Sequence, residues 1–135
     1  MDNNEILTNE LDTLPSLENA TSAELAAYIA EVLDSKKAHD INVIEVGKKT
    51  IIAEQFVLCT GGSNTQVRAL TDEVEYRTTQ RDRIPTNVEG RDNVAWIILD
   101  YDSVIVHVFS REAREYYNLD KLYSGTTEMN RETVD

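Results

Sequence analysis

The run from Trp96 to Tyr123, WIILDYDSVIVHVFSREAREYYNLDKLY, limits what this chain can fold into more than any other part of it. Ile97, Ile98 and Leu99 lead into Asp100, Tyr101, Asp102 and Ser103, which carry turn chemistry, and Val104 to Phe109 resumes a β-branched run. Strands and turns are built from such residues, so the pattern predicts a β-hairpin. Ser110 then stands where a helix needs an N-cap, with Glu112 placed to meet the positive end of the helix dipole. One short segment thus gathers Trp, carboxylates, His, Arg and Tyr.

The preceding residues supply the rest of a layered fold. Thr21-Ser22-Ala23-Glu24 has the form of a capping box, and Leu25, Ile29, Val32 and Leu33 follow at helical spacing. Residues 41–46 are β-rich, Gly47-Lys48-Lys49 offers a turn, and a second strand is expected from Thr50 through Thr60. Gly61 and Gly62 permit a tight turn, Ser63 can cap, and Gln66 stands three residues later, so a helix should start there. Val67, Leu70 and Val74 mark its buried stripe, while Arg68, Asp72, Glu75 and residues 76–83 face water and Pro85 blocks continuation. Residues 84–93 read as a loop or short edge strand before the hairpin. Helix, two strands, helix, two or three strands and a last helix predict an α/β fold, a mixed β-sheet flanked by α-helices. A chain of 135 residues suits a single domain, placed at 21–123 between an acidic flexible tail over 1–20 and a polar tail over 124–135.

Charge narrows the partners. Asp2, Glu5, Glu10, Asp12, Glu18, Glu24, Glu31 and Asp34 fall before the first Lys, and the net charge of the chain is -12. Such a chain repels phosphate, so direct binding of bare nucleic acid is not expected, and a basic protein surface is the better complement. Cys59 is the only cysteine, which excludes an internal disulfide and the paired-thiolate patterns of structural zinc. No apolar run approaches the length of a membrane span and the N-terminus lacks a basic start, so no membrane partner and a cytoplasmic location are expected.

Several residues invite chemical readings, each with a plainer rival. Gly61-Gly62-Ser63 lies at a strand-to-helix junction where an anion could sit, but it lacks the Lys-Ser/Thr ending of a phosphate loop, which favours a turn with a cap. Asp100 and Asp102, two apart, could hold magnesium with Ser63 near a nucleotide, as in a nucleotidyltransferase, but they sit at a hairpin turn, where Asp is common, and no basic cluster is there to neutralise a triphosphate, which favours the turn. Cys59 could take His107 as a base, yet it stands within Phe56-Val57-Leu58, where packing is the expected role. Alternation puts Trp96, Ile98 and Asp100 on one face and Ile97, Leu99 and Tyr101 on the other. If Ile97 and Leu99 face the helices, Trp96 and Ile98 form an apolar surface edged by Asp100, of the kind that marks protein interfaces; burial of Trp96 is the alternative. On the last helix Ala113 and Tyr117 are expected to pack inward and Arg114 to pair with a carboxylate of the sheet.

From Ser22 to about Tyr123 the chain resembles the ribosomal silencing factor family, also called Iojap-related. The resemblance is carried by Asp40-Ile41, Phe56-Val57-Leu58-Cys59-Thr60-Gly61, Ser63, Gln66-Val67, Asp72-Glu73-Val74-Glu75, Pro85 and Glu89-Gly90. It continues through Trp96, Leu99-Asp100-Tyr101, Val106-His107-Val108-Phe109, Arg114, Tyr116-Tyr117, Leu119 and Leu122. The resemblance implies a sheet flanked by helices that is nucleotidyltransferase-like without the active site. It further implies a non-enzymatic protein that binds the large ribosomal subunit through ribosomal protein fourteen and sterically blocks the small subunit. No catalytic residue, metal or cofactor is assigned, and Trp96, Ile98, Asp100, Tyr101, Asp102 and His107 are the expected partner-binding residues. The same apolar surface also allows a homodimer. The chain departs from the family pattern at Asp102-Ser103, where Gly then Asp is usual, and at Tyr123, where Trp is frequent.

Overall fold

The computed structural model describes residues 14–124, which fold into one mixed sheet with helices on both faces. Helix α1, Ser22–Ser35, begins with the expected capping box: Glu24 N–H donates to Thr21 Oγ1 at 3.1 Å and Thr21 N–H to Glu24 Oε1 at 2.9 Å. Its apolar stripe of Leu25, Ala26, Ile29, Val32 and Leu33 is buried. Strands β1, His39–Glu45, and β2, Gln55–Gly61, pair antiparallel. Helix α2, Asn64–Gln80, buries Val67, Leu70 and Val74 as predicted, together with Thr71 and Thr78.

Strands β3, Asn87–Glu89, β4, Trp96–Asp100, and β5, Val104–Ser110, complete the sheet in the order β1-β2-β5-β4-β3. β2 and β5 are parallel and every other neighbouring pair is antiparallel. Helices α3, Arg111–Tyr117, and α4, Leu119–Leu122, follow, separated by Asn118 in the left-handed conformation. Ser110 caps α3 as expected, accepting from Ala113 N–H at 3.2 Å.

Two cores lie on opposite faces of the sheet. Val57, Cys59, Ile97, Leu99, Val104, Val106 and Val108 meet α1 and α2. Phe56, Leu58, Ile105 and Phe109 face the other way, toward Ala113 and Leu119, with Trp96 and Ile98 at the border. The second face is the less completely covered of the two, because α3 and α4 are short.

The second strand starts later than its apolarity suggests. Residues 50–54 are a loop, with Ile51 and Ile52 exposed, because a turn at Val46 folds the chain back, with Lys49 N–H and Thr50 N–H both donating to Val46 O. Sheet pairing begins only at Gln55, opposite Glu45 and Val104. Part of the stretch expected as a flexible tail is docked. Leu17 is only 6% exposed, its N–H donates to Arg81 O at 2.6 Å, and Arg81 Nε donates to Pro15 O at 2.8 Å. The Arg81 guanidinium in turn lies 4.4 Å from the centre of the Tyr28 ring. Burying one Leu side chain contributes about 1.5–3 kcal/mol toward docking this short segment, alongside these hydrogen bonds and the ring contact. Residues 1–13 and 125–135 of the expected tails lie outside the described residues.

One glycine is required by geometry. Gly90 has φ of 93°, and a Cβ there would stand 2.2 Å from Trp96 O, so the loop can pass the start of β4 only without a side chain. Arg91 clamps the same loop to α2 through Asp72, at 2.6 Å, and Glu75.

Candidate docking surface

Residues directly opposite each other in an antiparallel pair share a face, so the strand register decides which side chains meet. Trp96 lies opposite Phe109, Ile98 opposite His107 on one side and Glu89 on the other, and Asp100 opposite Ile105 and Asn87. These residues occupy the face away from α1 and α2. Along β4, Trp96, Ile98 and Asp100 are half-buried while Ile97 and Leu99 are fully buried. The arrangement is the one in which Ile97 and Leu99 face the helices and the indole reaches the surface.

The indole is held by its surroundings. Its Nε1–H donates to His107 Nδ1 at 3.0 Å, and its ring centre lies 5.1 Å from that of Phe109 and 4.5 Å from that of Tyr117 on α3. Tyr117, expected to pack inward, is instead 47% exposed and lies against Trp96 as part of the same apolar strip. His107 is 5% exposed and sits beneath the surface, edge-on to Phe56 at 4.6 Å. Burial pushes its imidazole pKa down to about 4, so the ring is neutral at physiological pH. Expected among the partner-binding residues, His107 instead supports the strip from below and is not itself accessible.

Tyr101 does not reach this surface. It is 2% exposed on the helical face, where its hydroxyl is 2.8 Å from Thr78 Oγ1. Burial foremost pushes the phenol up to about 12, the Thr78 hydrogen bond working against it. Tyr101, expected among the partner-binding residues, instead anchors the hairpin turn to α2. Asp102 is exposed at the tip, with φ of 69°, and its N–H donates to Asp100 Oδ1 at 2.8 Å. Asp102 fills this left-handed position because a short polar side chain tolerates that conformation.

Glu89 escaped the sequence reading. It is exposed beside Ile98 and takes a hydrogen bond from Asn87 Nδ2 at 2.9 Å, adding a carboxylate to the fringe formed by Asp100 and Asp102. The alternation of Asn87-Val88-Glu89 was the available signal, but its meaning depends on the β3–β4 register.

The cover over the rest of this face is tied down by Arg114. Its Nε and Nη2 donate to the two oxygens of Asp120, each at 2.7 Å, and its Nη1 donates to Thr60 Oγ1 at 3.0 Å. Asn42 Nδ2 adds a bond to Asp120 Oδ1 at 2.9 Å. The partner of Arg114 is thus a carboxylate of α4, not of the sheet. Burial raises the Asp120 pKa, but the Arg114 and Asn42 hydrogen bonds and the guanidinium charge outweigh it and hold the carboxyl below its ordinary value.

The chemical alternatives are not assembled. Gly61 pairs with Ser110 at one end of β5, whereas Asp100 pairs with Ile105 near the other. At about 3.3 Å per residue, Ser63 and the Asp100–Asp102 turn stand about 20 Å apart, too far to share one nucleotide. Ser63 instead caps α2, accepting from Gln66 N–H at 3.1 Å, while Gln66 Oε1 takes Gly62 N–H at 2.5 Å. Those contacts are the turn with a cap that the sequence favours. Cys59 and His107 lie on opposite faces of the sheet, and burial pushes the thiol up to about 12 despite the nearby Arg114 charge. Among the described residues no three His, Cys, Asp or Glu side chains are grouped as a metal site.

Residues 19–135 match the family described as ribosomal silencing factor during starvation. The chain belongs to the ribosomal silencing factor family. It is 34% identical over 94 residues to ribosomal silencing factor RsfS of Bacillus subtilis, covering 70% of this chain and 80% of that protein. The RsfS of Haemophilus influenzae is 34% identical over 100 residues, covering 74% and 98%. A crystal structure of a protein from Chromobacterium violaceum has the same fold, with a TM-score of 0.75 at 28% identity, covering 78% of this chain and 88% of that one. The resemblance read from the sequence is thus established at the level of family and fold. No described helix of the chain is long and apolar enough to cross a membrane.

Proposed function

We propose that this protein represses translation by docking on the large ribosomal subunit, through ribosomal protein fourteen, so that the small subunit cannot join. The family and the names of its relatives support a ribosome-silencing role. The docking reading rests on the half-exposed pair Trp96 and Ile98, extended by Tyr117 and fringed by Glu89, Asp100 and Asp102. An apolar centre with a charged rim suits a protein interface: burial supplies affinity, and the carboxylates steer the encounter toward a basic surface. The net charge of -12 favours a basic protein over bare RNA as the direct contact.

The action is occupancy alone. No covalent step, metal or cofactor enters it, and it takes place in the cytoplasm, where subunits meet. A homodimer formed through the same strip would compete with docking. Trp96→Ala tests the reading by co-sedimentation with purified large subunits on a sucrose gradient. Loss of an anchoring Trp should cost about 2 kcal/mol, roughly thirtyfold in affinity. Co-sedimentation and inhibition of subunit joining equal to those of the unaltered protein would remove this strip from the contact.

A further inference from the structure

We infer that His107 is the positioning residue of the docking strip: it takes the Trp96 indole N–H, fixes the attitude of the ring, and leaves only the ring's carbon surface to a partner. This inference rests on the docking reading above. An indole nitrogen only donates, so His107 Nδ1, 3.0 Å away, must be the acceptor and the proton of the neutral imidazole must lie on Nε2. Nε2 is buried and has no hydrogen-bond partner among the described residues.

An unmade buried donor is a standing cost. The other positions of β5 from Val104 to Phe109 are apolar, and a Leu here would avoid that cost while filling similar space. What the imidazole alone supplies at this place is an acceptor under the indole. Phe56, edge-on at 4.6 Å, and Phe109, parallel at 6.0 Å, crowd the imidazole on the face that carries Trp96. Trp96 is therefore fixed by His107 below it and by Phe109 and Tyr117 against its ring.

The consequence concerns the partner's chemistry. With its N–H spent internally, the indole cannot recognise a phosphate oxygen or a backbone carbonyl by hydrogen bonding. Its exposed carbon surface, beside Ile98 and the Glu89 carboxylate, fits an aliphatic side chain or the stem and guanidinium of an Arg on a basic protein.

Trp96 is the sole tryptophan, so its indole N–H gives a single resonance in the full chain. Four proteins are compared, the unaltered chain, Trp96→Ala, His107→Leu and His107→Gln, by affinity for purified large subunits and, where Trp96 remains, by exchange of that N–H with solvent. His107→Leu should keep its denaturation midpoint or raise it, exchange the indole proton faster, and bind about tenfold more weakly. His107→Gln, whose side-chain oxygen can accept, should recover part of both the protection and the affinity. Full affinity in His107→Leu, with the indole proton deprotected and Trp96→Ala binding weakly, overturns the inference and leaves the docking reading standing. Full affinity in Trp96→Ala overturns both. Should His107→Leu fail to fold, His107→Gln decides, since unaltered affinity with a deprotected indole overturns the inference as well.

Discussion

Asp120→Asn keeps the shape of a side chain and removes its charge, and so isolates the ionic part of what holds α3 and α4 over the second face of the sheet. Asp120 accepts two bonds from Arg114 at 2.7 Å and one from Asn42 at 2.9 Å, with the Arg114 side chain 12% exposed and that of Asp120 32%. An Asn offers one oxygen to three donors and turns an NH2 toward the guanidinium. Breaking a buried pair costs about 3–5 kcal/mol because the remaining charge is stranded; the partial exposure of Asp120 reduces this to about 2–3 kcal/mol. For a domain of this size the expected fall in Tm is about 10 °C. Urea unfolding followed by tryptophan fluorescence is the assay, since the single Trp lies 4.5 Å from Tyr117 of α3 and reports the cover directly. A cycle with Arg114→Met should give a coupling of about 1.5 kcal/mol or more. Because the Asp120 pKa is lowered by folding, its contribution is present above the ordinary carboxylate pKa and is lost as pH falls through the lowered value. An Asp120→Asn loss below about 0.5 kcal/mol, or a coupling that small, would refute the account.

Asp102→Gly should be at least as stable as the unaltered chain, whereas Asp102→Ala, which places a Cβ at φ of 69° without a polar side chain, should fall about 1 kcal/mol below Gly in urea; equal midpoints for Ala and Gly would contradict the strained turn. The His107 pKa falls from an ordinary 6.5 to about 4 on burial, so above pH 6.5 the group leaves stability intact, and as pH drops toward 4 the unfolded chain takes a proton that the folded chain refuses. Between those values it should cost up to about 1.4 kcal/mol per pH unit, and calorimetry on His107→Leu should show a shallower pH dependence by that amount; parallel profiles would contradict it.

Local signals were legible wherever the deciding contacts were close in sequence. The α1 capping box and its stripe, the Ser63–Gln66 cap and the alternation along β4 each involve residues within a few positions of one another. Long-range contacts hid the rest. Leu17 sits in a polar stretch and is buried only because the backbone at Arg81 and the side chain of Arg83 come back to it. Ile51 and Ile52 read as strand, yet neither has a sheet neighbour to pair with. The place of Tyr101 was implicit in the alternation, but its anchoring role required Thr78, a polar residue buried on α2. Glu89 joined the site through a register that no property of its own segment announces.

The position of the exposed strip follows from unequal coverage of the sheet. Strands β2 and β5 are buried along nearly their whole length, as strands covered on both faces are, whereas β4 alternates between buried and half-buried residues. The first face has α1 and α2, of 14 and 17 residues, and these reach across to β4 through Ile97 and Leu99. The second has α3 and α4, of seven and four residues, broken at Asn118. Their cover ends with Tyr117 against Trp96, so Ile98 and the outer part of the indole lack a helical layer. An isolated apolar residue at a surface needs no explanation, but Trp96, held by its own buried acceptor at the edge of an interrupted layer, is costly to maintain. A partner that supplies the missing part of that layer recovers the unburied area, and the carboxylates at its border favour a partner of positive charge.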